Sequence, residues 1–315
     1  MKKKIIEGSF FFAVTAIALT GIFMFSPEAR RKAVGWYKEP MLIEYTLDSL
    51  DSIEVKSTSQ NIKIKVSDSA TEVTVRYYTN WDGHVTDNRS SSLKIQEHWE
   101  QNWKYVILPK MDHILNRDDY ITLEITVPKG TDLTKLKVTT KSGKIEIAGI
   151  TANAATLNAT NQNILVTDCD FEDTNISNAS GSTTIKNSSL GDKGEISHTS
   201  GNMHLANCTI DDDFKIEGSC TLTGCTLGND IKIVNTNGNI KIDETIFCGI
   251  TISSTSGNVT VSNIADIELC SFDLKAAAGT IRVNGANQGT IYDVKPSGWK
   301  SKLKINATSG NIAIN

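Results

Sequence analysis

Three groups of side chains in this sequence are of types that could do chemistry. The first is His84, His98 and His113, which share one stretch with Asp82, Glu97, Glu100, Asp112, Asp118 and Asp119. Imidazole beside carboxylate can support hydrolysis or hold a metal. No HExxH, no G-x-S-x-G and no metal-ligand spacing organises these residues, so they read as loop side chains. The second group is the six cysteines, which show no CxxC pair and no histidine companion that would argue for zinc. Cys220 and Cys225 are close enough in sequence to bridge across a turn, but thiols recurring along a ladder serve as small apolar filler. The third is Asp211-Asp212-Asp213, an acidic turn offering about three oxygens where calcium takes roughly six to eight. It reads as a solvated turn. No catalytic residue, cofactor-binding residue or metal ligand is assigned, and the expectation is a protein that is not an enzyme.

Binding chemistry remains. Trp81, Trp99, Trp103 and Tyr105, near Tyr77 and Tyr78, fall in one stretch, whereas residues 133–290 contain no Trp or Tyr at all. Aromatic faces stack on sugars or anchor a protein contact, and they also cover the open end of a stacked core. An end cap is the favoured reading of these aromatics, and Trp81, Trp99, Trp103 and Tyr105 stand beside it as candidate partner-binding residues.

The elements that position these groups are strands. Ser52–Lys56, Asn61–Val66, Glu72–Tyr77 and Ile121–Val127 alternate apolar and polar residues at period 2. After Pro128-Lys129-Gly130 the chain repeats a unit, Thr-x-Ser-Gly-x-Ile-x-Ile, then a polar turn and another short strand. Glycine-equivalent positions 143, 162, 181, 201, 219, 238 and 257 lie 18 to 20 residues apart. A unit of that length cannot bury a face alone and must stack on its neighbours, which predicts an all-β single-stranded β-solenoid of coils of about 19 residues. Gly143, Gly181, Gly201, Gly238, Gly257, Gly279 and Gly310 are the expected structural corners, where positive φ turns one strand into the next. Cys169, Cys208 and Cys225 occupy one place in the unit, with Ser188 or Ser189 and Thr245 in the missing rungs. Phe171, Ile210, Leu227 and Phe247 follow as an apolar ladder. His198 and His204 fall on repeat strands, where an outward polar position is expected. Lys144, Glu146, Lys215, Glu217, Lys232 and Lys241 predict a mixed-charge outer face.

The N-terminus differs in kind. Residues 8–27 carry no charge, and twenty helical residues rising about 1.5 Å each reach about 30 Å, the thickness of a bilayer's hydrocarbon core. Lys2-Lys3-Lys4 and Arg30-Arg31-Lys32 flank the run. Bulky Phe23, Met24 and Phe25 stand where cleavage needs small residues, which favours a retained anchor over a signal peptide. The expected layout is a short basic N-terminus at 1–7, a transmembrane anchor at 8–27 and a juxtamembrane stalk at 28–44. An N-terminal β cap at 45–132, with an insertion at 81–119, and solenoid repeats at 133–315 follow. Expected localisation is the cell membrane, single-pass, with the β-domain extracytoplasmic. The net charge of −4 over 315 residues supplies no basic face for nucleic acid.

Leu47–Val55, the passage Thr122–Thr131 and the Ser-Gly-x-Ile-x-Ile series together resemble the bacterial "putative adhesin" family of membrane-anchored repetitive β-strand proteins. The resemblance covers residues from about 45 to 315. It implies an envelope protein, some members being linked to cell-envelope stress systems, and it carries no catalytic residues. The expected function is non-catalytic presentation of a repetitive β surface to envelope proteins or cell-wall glycans, in adhesion or envelope stress. A β-helix polysaccharide-active enzyme and a purely structural spacer are the alternatives.

Overall fold

The computed structural model describes residues 41–79, 84–87, 91–97 and 121–315. The apolar run 8–27 and Trp81, Trp99, Trp103 and Tyr105 lie outside the described residues. Among those described, no helix is long and apolar enough to cross a membrane.

A representative coil shows how local sequence makes the fold. Ile145–Ala148 is a strand with Ile145 and Ile147 buried and Glu146 turned outward. Gly149 turns the chain in the left-handed region, and Thr151–Ala159 runs first along a short third face and then into a second sheet. The corner 160–163 returns it to the first sheet at Ile164–Thr167. Ile145 pairs with Ile164 in a parallel ladder, so the next coil lies directly on this one. Repetition builds two large parallel sheets; removing their antiparallel edge strands leaves eleven parallel rungs in each among the described residues. At about 4.8 Å per rung the stack is about 50 Å long.

Like residues stack on like. The first sheet aligns Ile64, Ile147, Val166, Ile185, Leu205, Leu222, Ile242 and Val261, all fully buried. The second aligns Val138, Leu157, Ile176, Ile196, Ile216, Ile233 and Ile252. Each such side chain contributes roughly 1.5–3 kcal/mol on leaving water. The third face carries the expected apolar ladder Phe171, Ile210, Leu227 and Phe247, with Leu190 between Phe171 and Ile210, and Ala152 and Leu133 continuing it beyond Phe171. On the second sheet Gly194 leaves room for the ring of its neighbour: a Cβ there would overlap the fully buried Phe214.

The stacking order departs from chain order at both ends. Ser52–Ser57 and Asn61–Ser67, first in sequence, lie between the coil of Ser92–Glu97 and Thr122–Pro128 and the coil of Lys135–Thr140 and Ile145–Ala148. Likewise Ser301–Ser309 and Ile312–Ile314, last in sequence, slot between the coil at 249–262 and the coil at 270–283. Each terminal coil is therefore clasped on both sides. Segment 45–132, expected as a cap, thus supplies two rungs of the solenoid itself. The capping falls to antiparallel strands: Val73–Thr79 with Met41–Leu47, and His84–Asp87, at one end, and Ala286–Gly289 with Ile291–Val294 at the other. They cover the last parallel edges, which would otherwise offer unpaired N–H and C=O groups.

The seven expected corner glycines do form one column. Gly181, Gly201, Gly238, Gly257 and Gly310 have φ between 100° and 135°. Gly143 and Gly279 do not have positive φ, so the reason for glycine there is room. A Cβ on Gly143 would overlap the Gln60 carbonyl, and one on Gly279 would overlap that of Gly310.

Candidate functional site

The surfaces that could meet a partner are the three corner columns and the outer faces between them. Beside the glycine corner runs a column of small or polar residues, buried but for the half-buried Gly218: Ser57, Thr140, Ala159, Asn178, His198, Gly218, Asn235 and Ser254. Its members fasten the corner. The Gly143 amide donates to Thr140 Oγ1 at 3.0 Å, and Asn235 Nδ2 donates to the Gly238 carbonyl at 2.7 Å. His198 belongs to this column and is only 8% exposed, which corrects the expected outward placement. Strand alternation puts it inward, in register with Asn178. Its Nε2 lies 3.1 Å from Thr183 Oγ1. Burial lowers its pKa, against a smaller raising contribution from the Ser200 backbone. His204 is half-buried on the outer side of its strand.

The second corner is held differently. Gly149, Asp168, Asn187, Asn207, Gly224, Glu244 and Asn263 all adopt left-handed φ, from 49° to 71°. Asn and Asp tolerate that region because their side chains bond locally. Here they also bond along the stack: Asn187 Nδ2 to Asp168 Oδ1 at 3.0 Å, and Asn207 Nδ2 to Asn187 Oδ1 at 3.2 Å. The next residue is the expected thiol and hydroxyl column, Cys169, Ser188, Cys208, Cys225 and Thr245, all buried. Each satisfies the carbonyl two residues before it, Ser188 to Lys186 at 2.7 Å, Cys208 to Ala206 at 3.4 Å and Thr245 to Asp243 at 2.9 Å. These thiols are donors in a wall. Burial pushes Cys169 up to about 11, and Cys208 is raised by its hydrogen bond with Cys225 and then by burial. Cys220 sits on a different ladder, inside the first sheet, so it does not face Cys225; burial pushes it up to about 12. All six cysteines are free, and Cys248 is the exposed one.

Asp211-Asp212-Asp213 forms the third corner. Asp213 is left-handed and pairs with Lys232 at 3.1 Å, while Asp212 Oδ1 accepts the Asn229 amide at 2.5 Å. The mixed-charge face is present as expected. Lys144 meets Glu146 at 3.0 Å, Lys215 meets Glu195 at 3.2 Å and also Glu217, and Lys241 meets Asp243 at 3.1 Å. Between these pairs the outer columns carry Ser, Thr and Asn, as in Thr139, Asn158, Ser177 and Ser197.

A pocket of about 310 Å³ opens on the first sheet near its N-terminal end, lined by Lys63, Arg76, Tyr78, Glu124, Lys144 and Glu146. Burial pushes the Glu146 carboxyl up, but hydrogen bonds and charge from Lys144 and Lys63 outweigh it and hold the pKa below the usual range. A general acid for glycoside cleavage needs the opposite shift. Sequence reasoning missed this pocket because its walls come from strands that sequence order does not predict to be neighbours. A second aromatic group was also missed, at the C-terminal cap. Trp299 is 42% exposed with Lys295 Nζ 5.6 Å from its ring centre, and Ile291 is 64% exposed.

No curated protein matches the chain. Among solved structures, a crystal structure titled as a "putative cell adhesion protein" from Clostridium sporogenes shares 10% identity, over 88% of this chain and 99% of that one. Its TM-score is 0.21, so it carries no argument about this molecule. The family comparison is decisive by extent: the family model matches residues 50–315, the whole of the stacked region. The chain belongs to the Toastrack DUF4097 family.

Proposed function

We propose that this protein is a non-catalytic, membrane-anchored cell-envelope scaffold that presents its repetitive β surface to protein or glycan partners. The observation that carries the reading is the outer surface itself. Stacked rungs display Ser, Thr and Asn together with lysines and carboxylates already paired to one another, at fixed spacing on a rigid core. Such a surface offers many weak, regularly spaced contacts and little acid–base chemistry. The downward shifts of Glu146, Asp243 and Asp273 agree with that, since each carboxylate stays ionised. The anchor is residues 8–27, with the solenoid extracytoplasmic; the support is the length and charge-free character of that run.

Incubating the full chain with purified cell-wall glycan tests the scaffold. Co-sedimentation without release of reducing ends is the expected outcome. Release of product would replace the reading with a polysaccharide-active enzyme. Absence of binding to both glycan and purified envelope proteins would leave a mechanical spacer. Membrane fractionation before and after removal of 8–27 checks the anchor separately.

A further inference from the structure

Of the ten glycine corners that lie wholly within the described residues, nine turn with four residues between the last inward side chain of the second sheet and the first of the first sheet. Thr199–Asn202 do so between His198 and Met203, and Thr236–Asn239 between Asn235 and Ile240. One coil does not. Gly218 and Cys220, its equivalents, are separated by Ser219 alone. The chain cuts across that corner, and three residues of outer loop are missing from the stack.

The neighbouring loops therefore face each other across two rungs, about 10 Å instead of about 4.8 Å. The notch between them encloses about 750 Å³, within the range of sites that hold small ligands. Its walls are strand edges. Glu195–Ser200 pairs with the preceding rung as far as Ser180–Ser200, but with the shortened rung only as far as Ser197–Glu217. On the other side, Ile231–Asn235 pairs as far as Asn235–Ser254 with the next rung, yet stops at Glu217–Val234 with the shortened one. Elsewhere the fourth corner residue receives the amide of the next rung: Asn163 Oδ1 from Ser182 at 2.8 Å, and Asn239 Oδ1 from Asn258 at 2.9 Å. Asn202 stands in that place, and Ser219, the one corner residue the short rung keeps, is the equivalent of Ser182 and Asn258. His198 and Asn235, 8% and 1% exposed, lie at the floor of the notch; His198 Nδ1 and Asn235 Oδ1 lack a hydrogen-bond partner, as do Asn178 Oδ1 and Ser254 Oγ elsewhere in the same column.

We propose that the notch is a binding site for a short extended peptide of small polar residues, which enters as the absent corner. An extended backbone offers N–H and C=O alternately to both sides, which is what two facing strand edges require. Small residues are needed because each corner packs against the backbone of the one before it, as Gly201 does on Gly181. No Trp, Tyr or Phe lines the notch to stack a sugar, and Glu217 on its wall disfavours an acidic ligand. This names the partner chemistry of one place on the scaffold and rests on that reading only in treating the surface as non-catalytic.

The probe is acetyl-Thr-Ser-Gly-Asn-amide, the chain's own corner sequence, titrated to about 10 mM against the full chain. Saturable NMR shifts are expected at the His198 ring and at the amides of Ser200 and Asn237, with a Kd of about 1 mM, modest as a site of this size implies. The same peptide with N-methylated backbone should give none. A variant with Thr-Ser-Gly inserted between Gly218 and Ser219 completes the corner and should lose the response. Asn237→Pro, which removes one loop amide, should weaken it at least about 5-fold if the insertion fails to fold. No shift with the peptide, equal shifts with the N-methylated form, undiminished binding by the folded variants, or shifts produced by chitotetraose instead would each overturn the site. Recovery of the peptide cleaved would instead sink the non-catalytic reading while leaving the notch in place.

Discussion

The glycine corner and the cysteine corner solve one geometric problem in two ways. At the first, the backbone of each rung lies against the carbonyl of the rung before it, so that Gly257 packs on Gly238 and Gly310 on Gly257. No side chain fits. At the second, left-handed residues keep their side chains pointing out, and Asp168, Asn187 and Asn207 use theirs to tie rungs together. The first corner is fixed by contact along the stack, the second by local backbone shape plus a buried donor. The first should therefore be intolerant of a Cβ where glycine stacks on glycine, and the second tolerant of many.

The sharpest test is the size of that contrast. Gly257→Ala puts a methyl group into the Gly238 carbonyl at a φ of 119°, which should cost about 3 kcal/mol or more and lower Tm by near 10 °C. Asn207→Gly should change stability by under about 1 kcal/mol, because relief of left-handed strain offsets the lost bond to Asn187. Thermal melts followed by circular dichroism measure both. Equal losses would mean that the two corners share one mechanism.

A smaller effect separates the roles inside the second corner. Cys208→Val keeps the volume but leaves the Ala206 and Ile185 carbonyls without the thiol, which lies 3.4 Å and 3.5 Å from them. The expected loss is about 1–2 kcal/mol, and Cys208→Ser, matching Ser188 in the same column, should recover most of it. If Val and Ser behave alike, the thiols are filler and nothing more. Accessibility follows the same division: under native conditions a maleimide should label Cys248 quickly and the five buried thiols only after denaturation.

What could be read from the sequence follows from how each feature is encoded. The glycine corner was legible because contact along the stack demands one residue type, again and again. The second corner was not, because Gly, Asp, Asn and Glu all satisfy it and leave no repeated letter; only the following Cys, Ser or Thr marked its place. The clasped ends were hidden for a different reason. Thr308-Ser309-Gly310-Asn311 has the same corner sequence as Thr255-Ser256-Gly257-Asn258, so the repeat shows that a coil forms but not which coils flank it. The notch was half legible. Placing Ser219 on the glycine column spreads a missing loop into ordinary spacing, whereas Met203 to Cys220, 17 residues apart and in register, exposes it.

The subtlest difference lies in the buried column beside the glycine corner, where His198 occupies a place that Asn178 and Asn235 fill in other coils. Around it stand Asn178 and Gly218 in the column and Thr183 against Nε2, all uncharged, while Glu217 sits on the outer side of the next strand. Burial lowers the His198 pKa, so the folded protein stays neutral there at a pH where the unfolded chain has taken a proton. The unfolded state then binds more protons, and stability must fall as pH drops below about 6.5 and through the folded value. Above about 6.5 the contribution is complete. His198→Asn should remove this part of the pH dependence and leave the acid-limb losses of Glu146, Asp243 and Asp273, whose lowered values place them further down. Denaturant midpoints at pH 7.5, 6.5 and 5.5 measure it. Parallel curves for the two proteins would mean that the imidazole ionises in place, by opening toward the notch, and that the column is looser there than at Asn178.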